Sequence, residues 1–136
     1  SLREQLEQRA HELGIRASFC GRIANEELPR ALNTYELFIL PSVYEGNPKV
    51  LLEAMACGLP VIGARVEGIR EIIHDGKDGM LCGTTPESLH QTIQNLLNDR
   101  ESQFRLGALA RETVLATASL SKAIQTECNL LHSIGL

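Results

Sequence analysis

Leu37-Phe38-Ile39-Leu40 is an unbroken apolar run stopped by Pro41-Ser42, and a short loop later the chain enters a second apolar stretch from Val50 to Ala56. A strand with one wet face alternates apolar and polar residues, whereas a continuous run belongs to a strand covered on both faces, as in a parallel sheet. Asn47 can accept hydrogen bonds from the free amides of a new helix. Pro48 suits that helix's first position, where no donor is needed and φ is already set. Val50, Leu51, Leu52, Ala54, Met55 and Ala56 make the helix apolar nearly all round, so it is predicted to be buried. Gly58 supplies a left-handed stop and Pro60 bars continuation. Strand, loop and buried helix together predict an α/β fold, a parallel sheet with helices on both faces.

In such a unit the loop Glu45-Gly46-Asn47 faces the crevice beyond the carboxyl end of the strand. Open α/β sheets bind ligands there, and the amides of a first helical turn favour an anion. Glu53 is the unusual residue, because a carboxylate inside an apolar helix must find a polar partner or remain costly to bury. Two readings stand: a ligand contact, or an i,i+4 pair with Lys49 in the weaker orientation, worth at most about 0.2–0.5 kcal/mol.

The flanking sequence repeats the alternation. Leu2, Leu6, Ala10 and Leu13 have near-helical spacing, Ala17 to Cys20 reads as a short strand, and Leu28 to Tyr35 as a short helix. Pro60 to Ala64 is a second buried strand, Gly68 to Ile73 a small helix, and Asp75-Gly76-Lys77-Asp78-Gly79 a turn leading into a last strand, Met80 to Cys82. Thr85, Pro86 and Glu87 start a helix that runs to Asn98 and packs through Leu89, Ile93, Leu96 and Leu97. Helices over Ser102–Ala116 and Ser121–Ser133 complete the chain.

With 136 residues there is room for one core and no second domain of ordinary size. A net charge of −4 without clustered Lys or Arg argues against a nucleic-acid surface. Cys20, Cys57, Cys82 and Cys128 fit no C-x-x-C spacing and read as small apolar residues, with Cys57 and Cys82 in the core. The four histidines are scattered, and His74 reads as a surface residue before a turn. No metal site is expected, and no apolar stretch approaches the ~20 residues of a membrane helix.

The block from Leu40 to Cys82 resembles the donor-binding half of a retaining glycosyltransferase of the GT-B fold, family 4, also called glycosyl transferases group 1. The resemblance is carried by P-S-x-x-E-G (Pro41, Ser42, Glu45, Gly46), by L-E-A-M-A-C-G-x-P-V-I from Leu52 to Ile62, and by G-I-R-E-I-I-x-D-G-x-D-G-x-L from Gly68 to Leu81. Phe19-Cys20-Gly21-Arg22 resembles the family's F-x-G strand end. The resemblance implies a Rossmann-like sheet and transfer of a hexosyl unit from a nucleoside diphosphate sugar to a hydroxyl of a glycan or lipid acceptor, without a metal. Glu45 would bind the hydroxyls of the donor sugar at the catalytic centre, and Glu53 those of the ribose. The amides of Gly46, Asn47, Val50 and Leu51 would face the sugar and diphosphate, while Arg22 and Ile23 would hold the base. A cytoplasmic location, peripheral to the inner membrane face at most, follows from the same resemblance.

The chain departs from the family pattern in three places. Arg65-Val66-Glu67-Gly68 keeps only one glycine of a usual pair; Glu67 is expected in solvent, and Arg65 either contacts the donor or pairs with Glu67. Glu71 matches a recurrent glutamate and is expected to orient its turn. The family's first two donor-half strands, with the basic pair that neutralises the diphosphate, have no counterpart, nor does the acceptor-binding half. The chain is therefore expected to be a truncated domain, inactive alone. It is also expected to self-associate, because the gap between the Phe19 strand and the Ile39 strand must be closed. Two alternatives stay open: part of a GT-B-like sugar-nucleotide epimerase, or a non-catalytic module binding a nucleotide or a protein.

Overall fold

The computed structural model describes residues 1–43 and 48–117. Strands β1 (Phe38–Leu40), β2 (Val61–Ala64) and β3 (Met80–Cys82) form one parallel sheet in the order β1-β2-β3. Phe38 lies opposite Val61 and Leu40 opposite Gly63, while Ile62 lies opposite Met80 and Ala64 opposite Cys82. The described helices are α1 (Leu2–Glu12), α2 (Leu28–Leu32), α3 (Lys49–Ala56), α4 (Glu67–Arg70), α5 (Pro86–Leu97) and α6 (Arg100–Leu115).

Alternation along the strands separates two apolar layers. Phe38, Val61 and Leu81 meet Leu51 and Met55 of α3, together with Ile69 and Ile73. Ile39, Ile62, Met80 and Cys82 meet Leu89, Ile93 and Leu96 of α5 and Leu106 of α6. Each large side chain fully buried here contributes roughly 1.5–3 kcal/mol. Gly63 is a packing requirement, since a Cβ there would sit 2.5 Å from Ile69 Cγ2 and 2.9 Å from Ile73 Cδ1. The β2 strand could not accept a larger residue without expelling Ile69.

Local signals fix the helix ends. Thr85 caps α5 by accepting from the Ser88 amide, and Asp99 caps α6 by accepting from the Ser102 amide and hydroxyl. Ser1 and Glu4 make a reciprocal capping box at α1. At the end of α3, Gly58 has φ +76° and its amide donates to Met55 O, while the Leu59 amide donates to Ala54 O. This is the expected left-handed stop.

Several expectations are corrected. Residues 17–20 form no strand: they are coil, and Arg3 Nη2 donates to Phe19 O at 2.8 Å. A strand is stabilised by pairing, and among the described residues β1 has no neighbour on its outer edge, so the gap is not closed by the Phe19 segment. The apolar stripe of α1 is likewise unburied, with Leu2 70% and Leu13 55% exposed, because among the described residues no sheet layer lies beneath it. α2 stops at Leu32, capped by Asn33, which leaves Tyr35 exposed. Pro48 occupies the N-cap of α3 rather than its first turn; Asn47, the expected cap, lies outside the described residues. Leu97 is exposed, since α5 buries Leu96 at that level instead. Cys20 is exposed with the coil that carries it, and Cys57 is disulfide-bonded, while Cys20 and Cys82 are free thiols. The predicted helix Ser121–Ser133 lies outside the described residues.

Candidate donor site at the carboxyl edge of the sheet

β1, β2 and β3 all end on the same side of the parallel sheet, at Leu40, Ala64 and Cys82, and α3 begins there. Pro48 is buried, Lys49 exposed, Val50 half-buried and Leu51 fully buried against the sheet. The Leu51 amide donates to Pro48 O at 3.1 Å, a bond it would have to share to reach a ligand. Glu53 is only 8% exposed, with Lys49 Nζ 3.5 Å from its Oε1. The i,i+4 partner anticipated from sequence is therefore present. With the lysine side chain half in solvent, such a pair is worth about 0–1 kcal/mol, small beside the cost of burying a carboxylate.

Glu45, Gly46 and Asn47 lie outside the described residues. Arg22 and Ile23 stand on exposed coil after α1 rather than at the end of a strand. Among the described residues, the sequence-selected set contributes Val50, Leu51 and Glu53 to one helix, and Arg22 and Ile23 to a separate segment.

Two aspartates build a loop scaffold that links the end of β2 to the turn leading into β3. Arg65 continues β2 through its amide, which donates to Cys82 O at 2.8 Å, and its Nη2 donates to Asp75 Oδ2 at 2.9 Å. Asp75 Oδ1 in turn accepts from the Leu81 amide. Arg65 thus pairs with Asp75, ten residues on, and not with Glu67, which is exposed on α4. Glu71 is the exposed C-cap of α4.

Asp78 is fully buried and accepts from the His74 amide (2.6 Å) and the Thr113 hydroxyl (2.9 Å), with His74 Nδ1 at 2.7 Å. These bonds tie the Asp75–Gly79 turn to α6. Sequence reasoning missed this cluster: the D-G-x-D-G turn was legible, but Thr113 comes from a helix 35 residues on, and only the i,i+4 spacing of His74 and Asp78 hinted at it.

At the end of β3, burial pushes the Cys82 thiol above its ordinary pKa, partly opposed by its backbone hydrogen bond and by the charge of Arg65. It is an inert core group. Among the described residues no cluster of three or more His, Cys, Asp or Glu could hold a metal, and no helix is long and apolar enough to cross a membrane.

A helix that starts at the carboxyl edge of a parallel sheet is a general feature of α/β proteins, so relatives decide the family. The profile of glycosyl transferases group 1 matches residues 1–113. The chain belongs to that family. Among its relatives, this group 1 chain is 44% identical over 101 residues to N-acetyl-alpha-D-glucosaminyl L-malate synthase of Bacillus anthracis, covering 73% of this chain and 26% of the synthase. Sucrose-phosphate synthase from Thermosynechococcus elongatus superposes with TM-score 0.81 at 30% identity, over 96% of this chain and 33% of that one. HepE of Anabaena, solved with UDP and glucose, superposes with TM-score 0.80 at 24% identity, over 96% of this chain and 36% of that one, and bears on fold alone. The group 1 chain therefore spans about a quarter to a third of these relatives. Its sheet is part of a GT-B glycosyltransferase domain, as the resemblance implied.

Proposed function

We propose that this chain is a single truncated domain, the nucleotide-sugar-binding part of a retaining glycosyltransferase. The complete protein moves a hexosyl unit from a nucleoside diphosphate sugar to a hydroxyl of a glycan or lipid acceptor. The observation that carries this reading is Glu53, a buried carboxylate one and a half turns into the helix that opens at the carboxyl edge of the sheet. Its placement suits a bidentate acceptor for ribose hydroxyls.

In this proposal Glu45 contacts the donor sugar, and the amides of Gly46, Asn47, Val50 and Leu51 hold the diphosphate at the positive end of α3. Arg22 and Ile23 reach the base. The acceptor is held by a part of the protein outside this chain, the reaction needs no metal, and the enzyme works in the cytoplasm, at most peripheral to the inner membrane face. The outer edge of β1, which has no strand partner among the described residues, supports self-association of the isolated chain.

The test is made on the complete protein. Glu45→Ala should abolish transfer while the protein stays folded, and the product's anomeric configuration, read by proton NMR coupling constants, should match the donor's. Normal turnover by the variant would sink the assignment. Conversion of donor to its epimer without acceptor would favour the epimerase alternative.

A further inference from the structure

Lys49 stands where helix electrostatics would not put it. It opens α3, at the end where free amides give a helix its positive pole, and a cation there is unfavourable. The first turn of α3 carries no acid to compensate. Its ion pair with Glu53 does little to offset this. Nζ lies 3.5 Å from Glu53 Oε1, longer than a good hydrogen bond, and a lysine four residues ahead of a glutamate is the weaker order. The Lys49 side chain is 51% exposed, whereas that of Glu53 is only 10% exposed. Arg65, the cation that follows β2 at the same edge of the sheet, is by contrast bound to Asp75 at 2.9 Å. A buried carboxylate and a loosely held ammonium thus share one face of α3, with the ammonium on the side of the helix start.

We propose that Lys49 is a donor-binding residue with two partners, Glu53 in the free protein and the diphosphate of the nucleotide in the complex. The proposal rests on the donor reading above and adds the side chain that recognises the phosphate charge. In a nucleotide the first phosphate hangs from the 5′ carbon, across the sugar ring from the 2′ and 3′ hydroxyls. Four residues along a helix span about 6 Å. Hydroxyls accepted by Glu53 therefore set the phosphates at the level of Lys49. The hydroxyls donate to the Glu53 carboxylate and take the place of the ammonium there. The flexible four-carbon stem of lysine lets the half-exposed ammonium turn to a phosphate oxygen without any shift of the backbone. Glu53 keeps a polar partner in both states, as a buried carboxylate requires.

The test uses the complete protein. Whichever of UDP, GDP and ADP binds most tightly is compared with its own nucleoside by ligand-observed NMR. Lys49→Met should weaken the diphosphate about tenfold or more and leave the nucleoside within about twofold, and Lys49→Arg, which keeps the charge, should recover most of the loss. The diphosphate affinity of Lys49→Met should also fall less steeply with added salt than that of the parent. Equal weakening of both ligands, or an unchanged diphosphate affinity and salt response, would overturn the role of Lys49 and leave the donor reading in place. Failure of all three nucleotides to bind the parent would overturn both.

Discussion

Replacing Gly107 by alanine sets two effects of opposite sign against each other. Gly107 lies inside α6, where alanine is intrinsically the better helix former by roughly 1 kcal/mol. It is also the point at which α6 crosses the end of α3. A Cβ at Gly107 would overlap the carbonyl oxygen of Gly58, lie 3.2 Å from the Gly58 carbonyl carbon and 3.6 Å from Pro60 Cδ. The groups in the way are backbone, held by the Gly58 and Leu59 amides on the last carbonyls of α3 and by the left-handed φ of Gly58, so they cannot rotate aside. α6 must move instead, loosening Leu106, Ala110 and Val114, each nearly or fully buried, and stretching the Arg111 Nη1 bond to Ala56 O. Overpacking of this kind costs about 1–3 kcal/mol. Because the contact is to rigid backbone, we take the upper part of that range, for a net loss of about 1–2 kcal/mol. Urea unfolding followed by circular dichroism measures it. A Gly107→Ala variant as stable as the parent, or more stable, would refute the packing argument and leave helix propensity as the deciding effect.

Asp78→Ala removes the acceptor of the His74 amide and the Thr113 hydroxyl; the loss, about 2–3 kcal/mol in the same urea assay, should exceed that of Thr113→Val, about 1 kcal/mol, because the latter leaves the His74 bonds in place. Iodoacetamide at mildly alkaline pH should label the exposed Cys20 promptly and spare Cys82, whose thiol is buried and raised in pKa; equal labelling in the folded protein would contradict the burial. Asp99 is held below its ordinary pKa by hydrogen bonds from Ser102, so its cap stabilises the fold above the unfolded carboxylate pKa and is lost as pH falls through the folded value. Asp99→Ala should therefore lower the melting temperature at neutral pH, and the difference from the parent should shrink on acidification below the ordinary carboxylate range.

What the sequence disclosed follows the range of the interactions involved. The runs at Ile39, Ile62 and Leu81 were recognisable as buried strands because every residue in them is apolar, and the Thr85-Pro86 start of α5 is a local signal that nothing distant overrides. The Ala17–Cys20 segment, interrupted by Ser18, carries a weaker version of that signal, and no strand forms, because strand formation needs a neighbour that the described residues do not supply. α1 misleads in the same way: its stripe is real but finds nothing to cover among the described residues. In the candidate site, Glu53 was legible as an anomaly because a carboxylate breaks an apolar pattern. The Arg65–Asp75 pair and the bond from Thr113 to Asp78 were not, since they join residues ten and 35 positions apart whose proximity depends on the turn between them.

The central claim is that the start of α3 and Glu53 form a nucleotide diphosphate site. Backbone amide chemical shifts of the nitrogen-15-labelled chain, followed as UDP is added, test this most directly. The account predicts saturable shifts at Val50, Leu51 and Glu53, with little change around Leu32, Tyr35 and Phe104 at the far end of the sheet, and loss of the response in Glu53→Ala. Shifts confined to that far end, or none at millimolar UDP, would contradict it.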